Sequence, residues 1–203
     1  EDDAGTIYAL GTFKGSIHGE PALDSTFLTD LFLAKYTTDG TLLWTQVFGS
    51  DGQDTPGTLR IDNSGNLWVN GYVGGEMDGI PLVGDYDIFL TKFTSDGVRI
   101  FTRIWGSLLM DFAYDLVLTP DAGAVVTGQT QGALPGFPNP DTETRNLLIK
   151  VTEDGTQLWM RQWAQNPEGL VYRCTAAEDG TLMCAGDRDA EPPIAIITTS
   201  WLP

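Results

Sequence analysis

The chain has 203 residues, with 28 Asp or Glu against 11 Lys or Arg and a net charge of −17. Such an anionic surface repels phosphate backbones and anionic lipid, and no cluster of Lys and Arg offsets it, so nucleic acid is excluded as a partner. A hydrophobic content of 41% supports a packed core, and no apolar run reaches the roughly 18 residues needed for a transmembrane helix.

In chain order, the first element is a strand motif, "DDAGTIYALGT" at residues 2–12. No signal peptide is visible at "EDDAGTIYAL", an acidic start that fits a mature secreted protein and equally a piece of something larger. The loop "KGSIHGEPALDSTFLT" follows, then "LFLAKYTTDGTLLWTQVFGS" at 31–50. The next stretch predicts four strands: "GTLRID" (A), "NLWVNGYV" (B), "DIFLTKFT" (C) and "VRIFTRIWG" (D). Each alternates apolar and polar residues over five to eight positions, and Asp-Gly or Ser-Gly punctuates them. "AYDLVLT" begins the next A strand, "PDAGAVVTGQ" its B strand and "LLIKVTEDGTQLWMRQWAQ" its C and D strands. "AEDGTLMCAGD" is a fourth B motif, and "PIAIITTSWLP" reads as a last C strand.

The chain thus repeats itself. Lys35, Lys92 and Lys150 are separated by 57 and 58 residues, and Gly5, Gly65, Gly123 and Gly180 step by 60, 58 and 57. Four antiparallel strands recurring at this period describe a β-propeller blade, which cannot bury both faces until neighbours cover it. The expectation is therefore an all-β, single-domain propeller or propeller segment over 1–203, with about 57 residues per repeat and roughly 3.5 to 4 blades. The units run about 1–59, 60–117, 118–174 and an incomplete 175–203. One A and one D strand are missing from this parse. An open edge invites pairing, so three readings stand: a segment of a longer propeller, a four-bladed ring, or a subunit completed by a partner or another copy.

The motifs "DNSGNLWVNGY", "DIFLTKFTSDGVRIFTRIWGS" and "LFLAKYTTDGTLLWTQVFGS" resemble the bacterial SBBP β-propeller repeat family across nearly the whole chain. The third repeat departs from it: Asn146 replaces the aspartate of Asp30 and Asp87, and Ala164 stands where Gly49 and Gly106 do. The resemblance implies a part of an exported or cell-surface bacterial protein with seven blades. "KYTTDGTLLW" also resembles, over a short stretch, the tryptophan-docking repeats of quinoprotein dehydrogenases and BamB-like scaffolds.

Tight turns join A to B and C to D, whereas the B-to-C and D-to-A links are long and differ from one another. In an up-and-down blade the long links share one end, where recognition usually lives. Six side chains there are candidate anchors: Phe27, Met77, Tyr86, Met110, Phe112 and Phe137, each either presented to a partner or folded under its own loop. The repeat-locked Lys35, Lys92 and Lys150 read as structural stems paired with nearby carboxylates. Trp44, Trp68, Trp105, Trp159 and Trp163 read as inter-blade packing.

Chemistry is sparse. His18 is the only histidine, so a His-cluster metal site is excluded and the residue reads as an exposed loop imidazole. The Asp-rich turns lack the ligand spacing of a calcium loop, with "DGQD" and "DYD" the weak exceptions. Asp54, Asp85, Asp87 and Asp111 could supply the carboxylate pair of a glycosidase or lyase; with so many acidic residues a chance pair carries little weight. Cys174 and Cys184 flank the "AAEDG" turn and fall opposite each other, which predicts a disulfide and an oxidising compartment; two buried free thiols are the alternative.

The function expected is a non-catalytic scaffold, extracellular, cell-surface or periplasmic, that binds a protein or glycan through its loop end, with no cofactor and no metal. The alternative is a propeller-type glycosidase or lyase.

Overall fold

A computed structural model describes residues 5–23, 28–139, 141, 143–164 and 170–187. The described residues are all-β. The first sheet has three strands: β1 (Ile7–Phe13), β4 (Asp30–Tyr36) and β5 (Leu42–Phe48), with a small hairpin, β2 (Ser16–Ile17) and β3 (Glu20–Pro21), inserted after β1. The second is a complete four-stranded antiparallel sheet of β6 (Asp54–Ile61), β7 (Leu67–Val73), β8 (Asp87–Phe93) and β9 (Arg99–Trp105), in chain order. The third repeats it with β10 (Asp111–Leu118), β11 (Ala124–Thr130), β12 (Arg145–Val151) and β13 (Gln157–Ala164). A two-stranded sheet, β14 (Leu170–Ala176) and β15 (Leu182–Asp187), follows. The predicted strand at "PIAIITTSWLP" lies outside the described residues. Among the described residues no helix is long and apolar enough to cross a membrane.

Irregularities recur with the period as well as strands. Each A strand bulges opposite its B strand, between Pro56 and Leu59, Ala113 and Asp115, and Val171 and Arg173. Each C-to-D pair shifts register directly after the repeated lysine, at Lys35, Lys92 and Lys150. Bulges that recur at one position of a repeat bend every blade alike, which stacked sheets require. β6 and β10 begin earlier than the sequence suggests, at Asp54 and Asp111, because the amides of both residues bond across to the preceding sheet, at Thr29 and Tyr86 carbonyls.

Alternation in the strands sends one face of each sheet to each neighbour. Leu67, Val69, Phe89 and Phe93 pack on Leu31, Leu33 and Phe48 of the first sheet. Trp68, Ile88, Leu90 and Phe101 pack on Leu116, Val126, Leu147 and Ile149 of the third. Val117, Val125 and Leu148 then pack on Val171, Leu182 and Cys184. Cys174 and Cys184 are a directly opposed strand pair joined by a disulfide.

The turn end confirms the structural role of the lysines. Lys92 is buried, 3.1 Å from Asp62 and 4.5 Å from the Trp68 ring centre; Lys150 is buried, 2.7 Å from Asp121. Lys35 instead donates to the Ser95 carbonyl at 3.0 Å and lies over Tyr8. One detail of the repeat needs correction. The turn residue with positive φ is Gly65 in the second repeat and Gly180 in the fourth, but Ala122 (φ 62°), not Gly123, in the third. Gly123 serves another purpose: a Cβ there would come 2.2 Å from the Val151 carbonyl oxygen.

Candidate binding rim at the loop end

The long links are less individual than the sequence suggests. Ile17 pairs with Glu20, Met77 with Ile80 and Leu134 with Phe137, each closing a two-residue turn. Gly19, Gly79 and Gly136 hold positive φ in these turns, and Pro21, Pro81 and Pro138 follow them. The signal was present as a Gly-x-Pro pattern at the repeat period, hidden by the unlike residues around it. His18 and Asp78 occupy the same turn position, and each meets the equivalent threonine: His18 Nδ1 lies 2.8 Å from Thr45 Oγ1, and Thr102 donates to Asp78 at 2.5 Å. The exposed imidazole therefore reinforces a loop turn.

This turn settles the position of two candidate anchors. Met77 is fully buried in the core between the first and second sheets, and Phe137 packs against the core between the second and third. Both fold under their own loops. Phe27 lies outside the described residues.

The other three candidates come together. Tyr86 and Met110 form a parallel bridge, and the Asp111 amide donates to the Tyr86 carbonyl at 2.8 Å. This brings the Tyr86 ring within 6.0 Å of Phe112. Tyr72, at the end of β7 and missed from the sequence because it reads as an ordinary strand residue, fills the centre: its ring lies 4.7 Å from Phe112 and 5.7 Å from Tyr86, edge-on to both. Edge-to-face packing at these distances is favourable for aromatic pairs. Two loops frame the cluster. Gly84 packs so tightly on the backbone of 107–109 that a Cβ would lie 2.4 Å from Ser107 and Leu109 carbonyl oxygens. Beside it Leu108 is 80% exposed, Val83 54% and Met110 36%. Tyr114 and Tyr172 continue the aromatic surface along the A strands, 5.3 Å apart; burial, with the neighbouring Tyr172 and Tyr72, pushes the Tyr114 hydroxyl up to about 12, so it stays a neutral donor.

The equivalent positions at the other two junctions differ completely. Tyr72, Tyr86 and Phe112 correspond to Thr12, Thr29 and Thr55 between the first and second sheets, and to Gln129, Thr144 and Leu170 between the third and fourth. The fold accommodates threonines there, so the aromatic trio is not a requirement of the scaffold.

The carboxylates at this end have structural partners. Asp54 accepts from the Ser50 amide at 2.8 Å and its hydroxyl at 2.5 Å; Asp111 accepts from the Ser107 amide at 2.6 Å and hydroxyl at 2.8 Å. Asp87 accepts from the Val83 amide at 2.7 Å. All three are buried, while Asp85 is exposed. Burial raises the carboxyls of Asp87 and Asp111 above the ordinary range, and the charge of Asp87 adds to the rise at Asp111. Asp51 of the "DGQD" stretch accepts from the Glu76 amide at 2.7 Å, clasping the neighbouring loop. Among the described residues no three His, Cys, Asp or Glu side chains gather as a metal-ion site. No family model matches the chain, and no curated protein matches it.

Proposed function

We propose that the chain is an arc of a β-propeller of the SBBP type and serves as a non-catalytic binding module. Its ligand is a protein segment that lays apolar side chains against Tyr72, Tyr86, Met110 and Phe112. The observation that carries this reading is the replacement, at one junction only, of residues the fold does not need by three mutually packed aromatics beside exposed Leu108 and Val83. Rigid aromatics with an apolar fringe are the usual anchors of protein interfaces. Leu108, Val83 and Met110 favour a protein over a glycan, which stacks on aromatic faces and needs polar groups around them.

The alternative, a glycosidase or lyase, requires two accessible carboxylates facing a substrate. Burial of Asp54, Asp87 and Asp111, and their engagement by their own loops, speak against it. The Cys174–Cys184 disulfide supports export to an oxidising compartment, extracellular, cell-surface or periplasmic.

The test is a display screen of random peptides on the wild-type chain, with selected peptides measured again on Phe112→Thr and Leu108→Asp variants. Binders that lose about tenfold or more on both variants, with folding unchanged, support the rim as the site. Peptides selected equally by the variants, or hydrolysis of an oligosaccharide panel abolished by Asp87→Asn, would remove it.

A further inference from the structure

The three B-to-C links differ in charge as well as in length. The first, residues 14–30, contains Lys14 and His18, and the third, 131–145, ends on Arg145, which donates to Asp141 at 2.7 Å. The middle one, 74–87, holds Glu76, Asp78, Asp85 and Asp87 and no Lys, Arg or His. The stretch 106–112, bridged to it at Tyr86 and Met110, adds Asp111 alone. Asp87 and Asp111 are buried clasps, and Asp78 is taken up by Thr102 and Arg99. That leaves Glu76 and Asp85: both are exposed, and among the described residues neither forms an ion pair.

These two carboxylates flank the aromatic cluster. Asp85 directly precedes Tyr86, and the loop that carries Glu76 packs on the Tyr86 ring, since a Cβ at Gly74 would lie 3.0 Å from it. Elsewhere the chain lays its own cations on aromatic rings: Lys92 is 4.5 Å from the Trp68 ring centre, Arg103 5.0 Å from Phe101 and Arg161 5.4 Å from Trp159. Among the described residues no cation covers Tyr72, Tyr86 or Phe112, and all three rings are partly exposed. Exposed rings beside exposed carboxylates are what a guanidinium recognises, because the ring face attracts the cation and the carboxylate accepts from its N–H fork.

Taking the rim as the protein-binding site proposed above, we infer that its partner is a cationic segment that sets an arginine against the Tyr72 and Tyr86 rings and Asp85, with apolar side chains on Phe112, Met110 and Leu108. Arginine suits the site better than lysine, because one planar guanidinium stacks on a ring and pairs with a carboxylate at the same time. The net charge of −17 speeds the encounter of such a segment with the chain. The aromatic contacts then confine it to this junction. The first junction offers threonines in place of the rings, and the third sets Arg145 at the equivalent edge, which repels a cation.

The experiment selects a random peptide display library on the full wild-type chain after depletion on the Phe112→Thr chain, so that only peptides needing the rim remain. Enriched peptides are synthesised with arginine and with citrulline in its place. Their affinities and association rates are read by fluorescence anisotropy at about 0.05 M and about 0.3 M salt. The expected peptides carry net positive charge, associate more slowly at the higher salt, and lose about fivefold or more in affinity on citrulline exchange and on the Asp85→Asn chain. Selection on an Asp85→Lys chain should abolish the arginine enrichment. Rim-dependent peptides that are neutral or acidic, or that are indifferent to citrulline and to Asp85→Asn, would overturn the inference while leaving the rim as a protein site. Cationic peptides that bind Phe112→Thr as tightly as wild type would overturn it as well, as attraction to the charge of the whole chain. Failure to enrich any peptide after depletion would remove the rim reading and the inference together.

Discussion

The first and second inter-sheet junctions are built on one plan and finished in opposite ways. Between the first and second sheets the loop end carries Thr12, Thr29 and Thr55; between the second and third it carries Tyr72, Tyr86 and Phe112, packed edge to face. Beneath both, the register shift after the repeated lysine recurs at Lys35 and Lys92, and the A-strand bulge recurs in β6 and β10. The difference separates two kinds of residue: those that make a junction exist, and those that it merely displays.

The most damaging test of that separation is Trp68→Ala. Trp68 is fully buried between the second and third sheets, so its loss should cost about 3–5 kcal/mol by chemical denaturation. A cost below that of the half-displayed aromatics would erase the distinction. Next comes Asp62→Ala, which leaves the buried Lys92 with the more distant Glu153 carboxylate, at 3.8 Å, for an ion pair and should cost about 3 kcal/mol. Burial pushes the Asp62 carboxyl up, but bonds from the Trp68 indole, the Asn66 amide and Lys92 outweigh it and hold it at about 2. Because the folded value lies below the unfolded one, its contribution is complete at neutral pH and disappears as the pH falls from about 4 through 2. The gap between wild type and Asp62→Ala should close over that window in acid titrations of stability.

Converting the rim to the threonines of the first junction, Tyr72→Thr with Tyr86→Thr and Phe112→Thr, should cost only about 1–3 kcal/mol in total. A cooperative unfolding transition should remain; its loss would show that the aromatics belong to the scaffold. The smallest effect is at the turn end. Ala122→Gly relieves a left-handed alanine where the second and fourth repeats have glycine, and should raise stability by about 0.5–1 kcal/mol.

Much of this fold was legible because strands, turns and the period all leave marks in composition: Asp-Gly at turns, alternation in strands, lysine at a fixed interval. The disulfide was legible for the same reason, since a short turn places Cys174 opposite Cys184. The aromatic cluster was only half legible. Tyr86, Met110 and Phe112, singled out from their loops, come together, but Tyr72 was hidden inside a strand, and Met77 and Phe137 have the composition of anchors while being held inward by a turn whose pattern was diluted by unlike neighbours. Position-by-position comparison of the junctions, rather than residue type, is what distinguishes them. Ala164 shows the same logic, and the register corrects the alignment read from sequence: Arg145, not Asn146, stands at the position of Asp87 and opposite Ala164, which replaces Gly106, where a Cβ would fall 2.0 Å from the Asp87 carboxylate. An alanine leaves no room for the aspartate arrangement of the second sheet, and in the third sheet the aspartate is absent.

The Gly-x-Pro turn has a practical consequence for protein engineering. It clamps the start of each long loop to its sheet through Ile17, Met77 or Leu134, and the residue opening the next strand holds the loop again, with Asp87 accepting from the Val83 amide and Arg145 donating to Asn139 and Asp141. The stretch from Pro81 to Tyr86 is thus a cassette with fixed ends. New side chains can be placed at Val83 and Asp85, with Gly84 kept, and displayed without redesigning the sheet that carries them.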